Sequence, residues 1–344
     1  MLLIKLNRKI LFLGRESVLW LGLDEKQKDV ESKQGFSEEM SYVIDVMKKN
    51  DIYFKTHFFE RCSDFSELLN IFKKSGADIV LSDFYSNLAT GEEEKWIFNE
   101  LEKLGIPHYL SSGDTMKLMY DKILCQKKLE SSGIEVLPFM SVDINNFDSL
   151  DKFLKKNEKV ILKPAQGYSS VGIEVFDDID LAINHSKNLK KDGIIIQNND
   201  KIYNIKVNDI IAEKFLEGKK EYQILIIGEK PEIYPVEVGI PLGKVYDRVM
   251  KEEHFSRDPV KSLDIYNKLL KLGKIINDTV GILDLARIDV IIDSDNNLYP
   301  IDVNGIPYLA KINPHSGEDA SLTQIGKIFG KSYESLIMEI FGLH

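Results

Sequence analysis

The chain has 344 residues, 43% hydrophobic and 29% charged, with a formal net charge of −10. That length exceeds a single core, so two or three subdomains are expected, and the acidic balance argues against nonspecific binding to nucleic acid or anionic membranes. The opening MLLIKLNRKILFLG is too short and too broken by charge for a signal peptide, no apolar run is long enough to span a membrane, and Cys62 and Cys125 have neither metal spacing nor a disulfide framework, which fits a reducing cytoplasm.

In chain order, Lys9–Leu13 predicts a buried strand and Ser37 an N-cap for a helix to about Asn50. Ile52–Phe58 reads as a strand, Ser66–Ser75 as a helix, Ala77–Leu81 as a strand, Glu92–Leu104 as a helix, and Ile106–Leu110 as a strand. This alternation predicts a parallel sheet covered by helices. Neither GxGxxG nor a GxxxxGKS/GxxxxGKT loop occurs, so dinucleotide and P-loop readings have no support. Asp114 caps a predicted helix to about Ser131 that carries Lys117, Lys122, Lys127 and Lys128, with Cys125 as a core residue.

Val160–Phe176 (VILKPAQGYSSVGIEVF) reads as strand, loop, strand. Gly167, Ser169, Ser170 and Gly172 make either an ordinary turn or a lid wrapping anionic oxygens, with Lys163 supplying a point charge. The stretch 198–208 is a loop or small hairpin, and Ile210–Gly218 a strand. Within that strand, Glu213, Lys214, Phe215 and Leu216 suit either the edge of an adenine pocket or a strand leaving the core through a polar end. Beyond Pro235 the chain reads as loop-rich; Leu263–Asn277, Ser321–Gly330 and Tyr333–Phe341 are helices.

Ala286–Asp293 and Leu298–Asn304 form a predicted hairpin around the polar turn Ser294–Asn297. A symmetric turn sets Asp289 opposite Asp302 and Arg287 opposite Asn304, all on one face. Facing carboxylates destabilise a sheet unless something sits between them. The face is therefore either solvated or holds a divalent cation such as Mg²⁺, which takes one or two carboxylates and fills its other positions from water and phosphate.

Taken together, YDKILCQKKLESSG, VILKPAQGYSSVGI, AEKFLEGKKEYQILIIG and ARIDVIIDSDNNLYPIDVNGIP resemble the ATP-grasp superfamily, specifically its D-alanine–D-alanine ligase branch, over roughly residues 113–310. The resemblance implies an α/β first domain of Rossmann-like type (1–112), a central ATP-grasp subdomain with the lid loop (113–212), and a C-terminal subdomain with the metal hairpin (213–344). It implies ATP and Mg²⁺ (or Mn²⁺) as cofactors, with Lys122 and Lys163 on the phosphates and Ser169 and Ser170 in the covering loop. Glu213 through Leu216 would line the adenine site, Glu221 would accept from the ribose, and Asp289, Asp302 and Asn304 would hold the metal. Lys251 would reach the γ-phosphate and Arg287 would stabilise an oxyanion. The implied reaction is ATP-dependent joining of a carboxylate to an amine through an acylphosphate, in a cytoplasmic enzyme that forms a homodimer through its first domain.

Three departures bear on substrate. LSDFYSNLATGEEE stands where that branch carries an HGxxGEDG-like stretch of the first amino-acid site. NGIPYLA replaces NTxPGxT, putting Tyr308 at a glycine position, and Glu252 replaces the mobile-loop tyrosine. The expected substrates are therefore amino acids or peptides other than the standard D-alanine pair. A genuine D-alanine–D-alanine ligase, a small-molecule kinase on the same lysines and carboxylates, and a nucleotide-binding module without turnover are the alternatives. His254 and His315 read as surface or substrate-contacting residues, Trp20 and Trp96 as core or subunit-contact residues.

Overall fold

A computed structural model describes residues 8–15, 38–59, 65–85, 95–166, 172–198, 201–217, 220–228, 230–239, 256–313 and 316–343. The apolar run in β1 (Ile10–Arg15) buries Ile10 through Leu13 completely, as a strand covered on both faces must. It pairs in parallel with β2 (Phe54–Phe59) and β3 (Ile79–Ser82), in the order β2-β1-β3. Parallel neighbours need crossovers; α1 (Glu38–Lys49) lies between β1 and β2 in the chain, and α2 (Leu68–Ser75) between β2 and β3. After α3 (Ile97–Lys103), the predicted strand Ile106–Leu110 supplies only one bridge, His108 to Val80. Pro107 has no N–H to give a ladder, and Leu110 turns the chain at φ +72°.

The predicted helix over 114–131 is two helices, α4 (Gly113–Tyr120) and α5 (Lys122–Ser131). Asp121 breaks it by adopting extended geometry, φ −100° and ψ 105°, and accepting the Leu124 N–H with its carboxylate. Ser112, not Asp114, caps α4.

The middle sheet is antiparallel, in the order β4 (Phe139–Ser141), β9 (Ile210–Lys214), β5 (Val160–Pro164) and β6 (Glu174–Phe176). With α6 (Asp148–Asn157) and α7 (Ile179–Asp192) it closes its own small core around Leu150, Val160, Leu162 and Ala212. The polar stretch 198–208 includes a strand: β8 (Lys201–Ile205) pairs antiparallel with β7 (Ile194–Asn198).

The third sheet runs β12 (Arg257–Pro259), β11 (Glu232–Val238), β10 (Lys220–Ile227), β13 (Leu285–Ile292) and β14 (Leu298–Asn304). The part beyond Pro235 is thus less loop-rich than its sequence suggests, since β11 runs on to Val238 and β12 follows. Helix α8 (Leu263–Val280) crosses β10 and β11 at Gly273, where an added Cβ would meet Ile224 and Ile233 side chains at 3.0 Å. Helices α9 (Ser321–Ile328) and α10 (Tyr333–Ile340) close the chain. One core joins the first and third sheets through α4, α5 and α10, with Phe12, Met116, Leu129, Ile288 and Ile337 all inside it. No helix among the described residues is long and apolar enough to cross a membrane.

Candidate active site

The hairpin sets Arg287 opposite Asn304 and Asp289 opposite Asp302, as a symmetric turn predicts, but by another route. Nearer the turn the strands pair Ile292 with Leu298 and Val290 with Pro300, one residue out of that register. A bulge between Asp289 and Val290, with Ile301 as the extra residue on β14, restores it. The five-residue closure is held by Asp293, whose Oδ1 accepts the N–H groups of Asp295 and Asn297, both at 2.9 Å. The bulge also turns the Ile301 carbonyl to the Lys163 ammonium, which donates to it at 3.3 Å. Irregularity in β14 is what brings a lysine of the middle sheet to the hairpin.

Asp289 is gripped from two sides. Arg287, two residues back on the same face, donates Nε to Oδ1 at 2.9 Å and Nη2 to Oδ2 at 3.0 Å. Gln223, its direct partner on β10, donates Nε2 to Oδ1 at 3.1 Å. Asp302 is more open, at 29% side-chain exposure, and its neighbouring cation Lys122 stands 3.8 Å away, beyond hydrogen-bond reach. The Asn304 amide oxygen accepts the Ile306 N–H at 3.0 Å and the Tyr85 hydroxyl at 3.2 Å. Tyr85 belongs to the segment after β3, and its hydroxyl oxygen also accepts the Ile306 N–H at 3.0 Å.

Lys122 stands at the start of α5, and its backbone N–H is tied to the Ala165 carbonyl at 2.9 Å. Asp121 receives the Gln166 side-chain N–H at 3.0 Å, so the helix start and the end of β5 are locked together. Lys163 and Glu213 form an ion pair at 2.6 Å with side chains 7% and 3% exposed. The second carboxylate oxygen of Glu213 is buried with no hydrogen-bond partner among the described residues. At the expected adenine edge, the N–H groups of Lys214 and Phe215 go to the Pro138 and Lys159 carbonyls, and Leu216 follows at the strand's end, half-buried. Glu221 lies on β10, opposite Ile291 and two residues from Gln223 on the same face.

Lys122, Lys163, Arg287, Asp289, Asp302 and Asn304 are thereby linked by direct contacts or strand pairing, and Glu213 joins them through Lys163. Ser169, Ser170, Lys251, Glu252, His254, His315, Trp20, Ser37 and Cys62 lie outside the described residues. Trp96 is half-buried against the main core, with the Tyr120 ring edge-on at 5.4 Å and Lys117 over its face. Cys125 is a core residue as expected; burial, then the Asp302 charge, push its thiol up to about 12. Three functional neighbours carry no sequence signal: Tyr85, Gln223 and Arg257, which reach the site across strands or from 219 residues away.

The donor set fits Mg²⁺. Two facing carboxylates are hard oxygen ligands, and Asp302 keeps part of its surface open; the Asn304 amide oxygen holds both the Ile306 N–H and the Tyr85 hydroxyl and would give one up to join them. Among the described residues no group of three or more His, Cys, Asp and Glu is arranged to hold a metal.

A family profile described as "D-ala D-ala ligase C-terminus" matches residues 129–341. The chain is 28% identical over 289 residues to a D-alanine–D-alanine ligase of Buchnera aphidicola, covering 79% of this chain and 83% of that one. A D-alanine–D-alanine ligase of Rickettsia bellii is 25% identical over 293 residues, covering 83% and 81%. Among solved structures, a D-alanine–D-alanine ligase of Bacillus anthracis complexed with ATP superposes with a TM-score of 0.65 at 18% identity, covering 98% of this chain and 97% of that one. The VanG D-Ala:D-Ser ligase of Enterococcus faecalis gives a TM-score of 0.65 at 16% identity, covering 98% and 99%.

Proposed function

The chain belongs to the D-alanine–D-alanine ligase family and is an ATP-dependent carbon–nitrogen ligase of the ATP-grasp fold; from that premise we propose that it joins an amino acid or peptide pair other than two D-alanines. One observation carries the substrate reading. Tyr85, in the stretch that stands in for the HGxxGEDG-like segment, places its hydroxyl on Asn304 at 3.2 Å and on the Ile306 N–H at 3.0 Å. The Tyr85 ring, tilted 41° against Tyr120 with centroids 4.8 Å apart, supports that pose and gives this corner of the site an aromatic wall.

In this reading Asp289 and Asp302 hold Mg²⁺ with Asn304 beside them. When bound, the metal neutralises phosphate charge and polarises the oxygens of the transferring group. Lys122 and Lys163 meet the triphosphate, each a point charge fixed at the end of an element. Glu213, Lys214, Phe215 and Leu216 line the base, and Glu221 accepts from the ribose. Two of the five N–H donors of Arg287 go to Asp289, which fixes its plane beside the reacting carbonyl, where a developing oxyanion needs a rigid donor. Ser169, Ser170 and Lys251 complete the phosphate contacts. The carboxylate substrate is activated as an acylphosphate, which the amine then attacks with loss of phosphate. The three-unit division at residues 112 and 212 is carried in the same proposal, with β9 running across its second boundary. A cytoplasmic homodimer through the first unit is the assembly to look for.

The test is Mg²⁺-dependent ADP release against single and paired D- and L-amino acids and dipeptides, with products weighed by mass spectrometry. Release that needs two different substrates and yields their condensed product supports the proposal. Turnover with D-alanine alone returns the chain to the activity its curated relatives are named for. A phosphorylated product without condensation makes it a kinase.

A further inference from the structure

The row of residues Gln223, Asp289 and Asp302 crosses three adjacent strands, β10, β13 and β14. Asp289 and Asp302 are the proposed metal carboxylates; Gln223 is only 2% exposed and has no assigned role. A primary amide offers an oxygen and an NH₂ of nearly equal shape, so its neighbours decide which end faces where. Here they decide without ambiguity. Arg257, on β12, donates Nε to Gln223 Oε1 at 2.7 Å, and Ser321 Oγ donates to the same oxygen at 3.4 Å. A guanidinium accepts nothing, so the oxygen end must face Arg257 and the NH₂ end must face Asp289, where Nε2 donates at 3.1 Å.

Arg257 is itself anchored. Its backbone N–H donates to Gln324 Oε1 at 2.6 Å, and it pairs with Val238 across β11. Both Ser321 and Gln324 lie on α9, so one helix end steadies the amide and the arginine that orients it. The chain of contacts runs from α9 to Arg257, to Gln223, to Asp289.

We propose that Arg257 and Gln223 are positioning residues for the metal carboxylate Asp289, with Arg257 acting through the Gln223 amide to fix the side-chain orientation Asp289 presents to Mg²⁺. The role rests on the reading of Asp289 as a metal ligand. Neither residue touches nucleotide or amino acid in this role; their effect is on metal affinity. Without Arg257, the Gln223 oxygen retains, among the described residues, only the long Ser321 contact, and the amide is free to turn. The turned amide sets oxygen against oxygen at Asp289, which disfavours the orientation held by Arg287. A methionine at 223 removes the donor altogether.

The test uses the full chain and Mn²⁺ as the metal probe, followed by electron paramagnetic resonance in the presence of ATP, with ATP affinity measured separately without metal. Arg257→Met and Gln223→Met should each raise the Mn²⁺ half-saturation about tenfold, the usual consequence of losing a partner that orients a metal ligand. ATP affinity without metal should stay within about twofold, and Arg257→Lys, which restores a charged donor, should recover most of the loss. Mn²⁺ binding unchanged in both methionine variants, while Asp289→Asn loses it, overturns the positioning role and leaves the metal site standing. Parallel loss of metal and nucleotide binding, or failure of both variants to fold, also overturns it, because that is the mark of general structural support. Asp289→Asn binding Mn²⁺ like the wild type removes the metal reading itself, and the positioning role with it.

Discussion

Two charged clusters stand within reach of one another and are built on opposite plans. In the middle sheet, Lys163 and Glu213 are paired at 2.6 Å with almost no exposed surface. At the hairpin, Lys122 of α5 stands 3.8 Å from Asp302 of β14, and that carboxylate is 29% exposed. The first pair is closed: each charge depends on the other, and removing one strands its partner in a medium that cannot solvate it. The second is open, and its carboxylate keeps surface for something outside the protein. Burial, more than charge, separates the two clusters, and Lys163 bridges them by also donating to the Ile301 carbonyl at the bulge.

The largest expected difference between the clusters is in activity. Asp302→Asn should cut Mg²⁺-dependent ADP release about a hundredfold or more, since a metal's charge stabilisation is worth several kcal/mol. Its urea midpoint should move little, because the side chain is partly exposed and carries no short ion pair among the described residues. Lys163→Met should do the reverse to stability, costing about 3–5 kcal/mol in urea unfolding by leaving Glu213 buried and unpaired. The double change Lys163→Met with Glu213→Leu should regain much of that stability without regaining ATP turnover. Equal stability losses for Asp302→Asn and Lys163→Met would erase the distinction.

Tyr85→Phe is a smaller perturbation. It removes one donor to Asn304, while the Ile306 N–H keeps the Asn304 amide oxygen at 3.0 Å, so the net effect is one bond, about 0.5–1.5 kcal/mol. Steady-state kinetics should show up to about a tenfold fall in kcat/KM for the amino-acid substrate, with the KM for ATP unchanged. Cys125 gives the smallest effect. Its thiol ionises near 9.0 when unfolded and is pushed up to about 12 when folded, so the unfolded chain loses its proton first. The stability this contributes is complete below pH 9.0 and drains away toward about pH 12. Urea midpoints should therefore fall more steeply with alkaline pH in the wild type than in Cys125→Ala.

The same comparison shows what was legible in the sequence. Strand alternation and an Asp-rich turn were enough to set Asp289 against Asp302, because side-chain period two leaves few registers that put both on one face. The bulge at Ile301 was not read from the sequence, although Pro300 in LYPIDVN, with no N–H for the ladder, belongs in a sheet only at an edge or a bulge. VILK placed Lys163 at a strand end, but its partner Glu213 lies in β9, and that pairing is a property of the sheet order. The break at Asp121 was missed because the apolar pattern continues through it; the capping carboxylate competes locally with helix continuation. Tyr85, Gln223 and Arg257 were invisible as site residues for one shared reason. Each acts through a contact made only after distant strands or helices have been brought together.

The central claim is that Asp289 and Asp302 share one metal ion, and a double-mutant cycle on Mg²⁺-dependent ADP release tests it most directly. If the two carboxylates hold the same ion, Asp289→Asn, Asp302→Asn and the double variant should all fall to about the same residual rate, because losing either ligand already loses the metal's contribution. Losses that simply add in the double variant, each with its own dependence on Mg²⁺ concentration, would contradict it and assign the two aspartates to separate tasks.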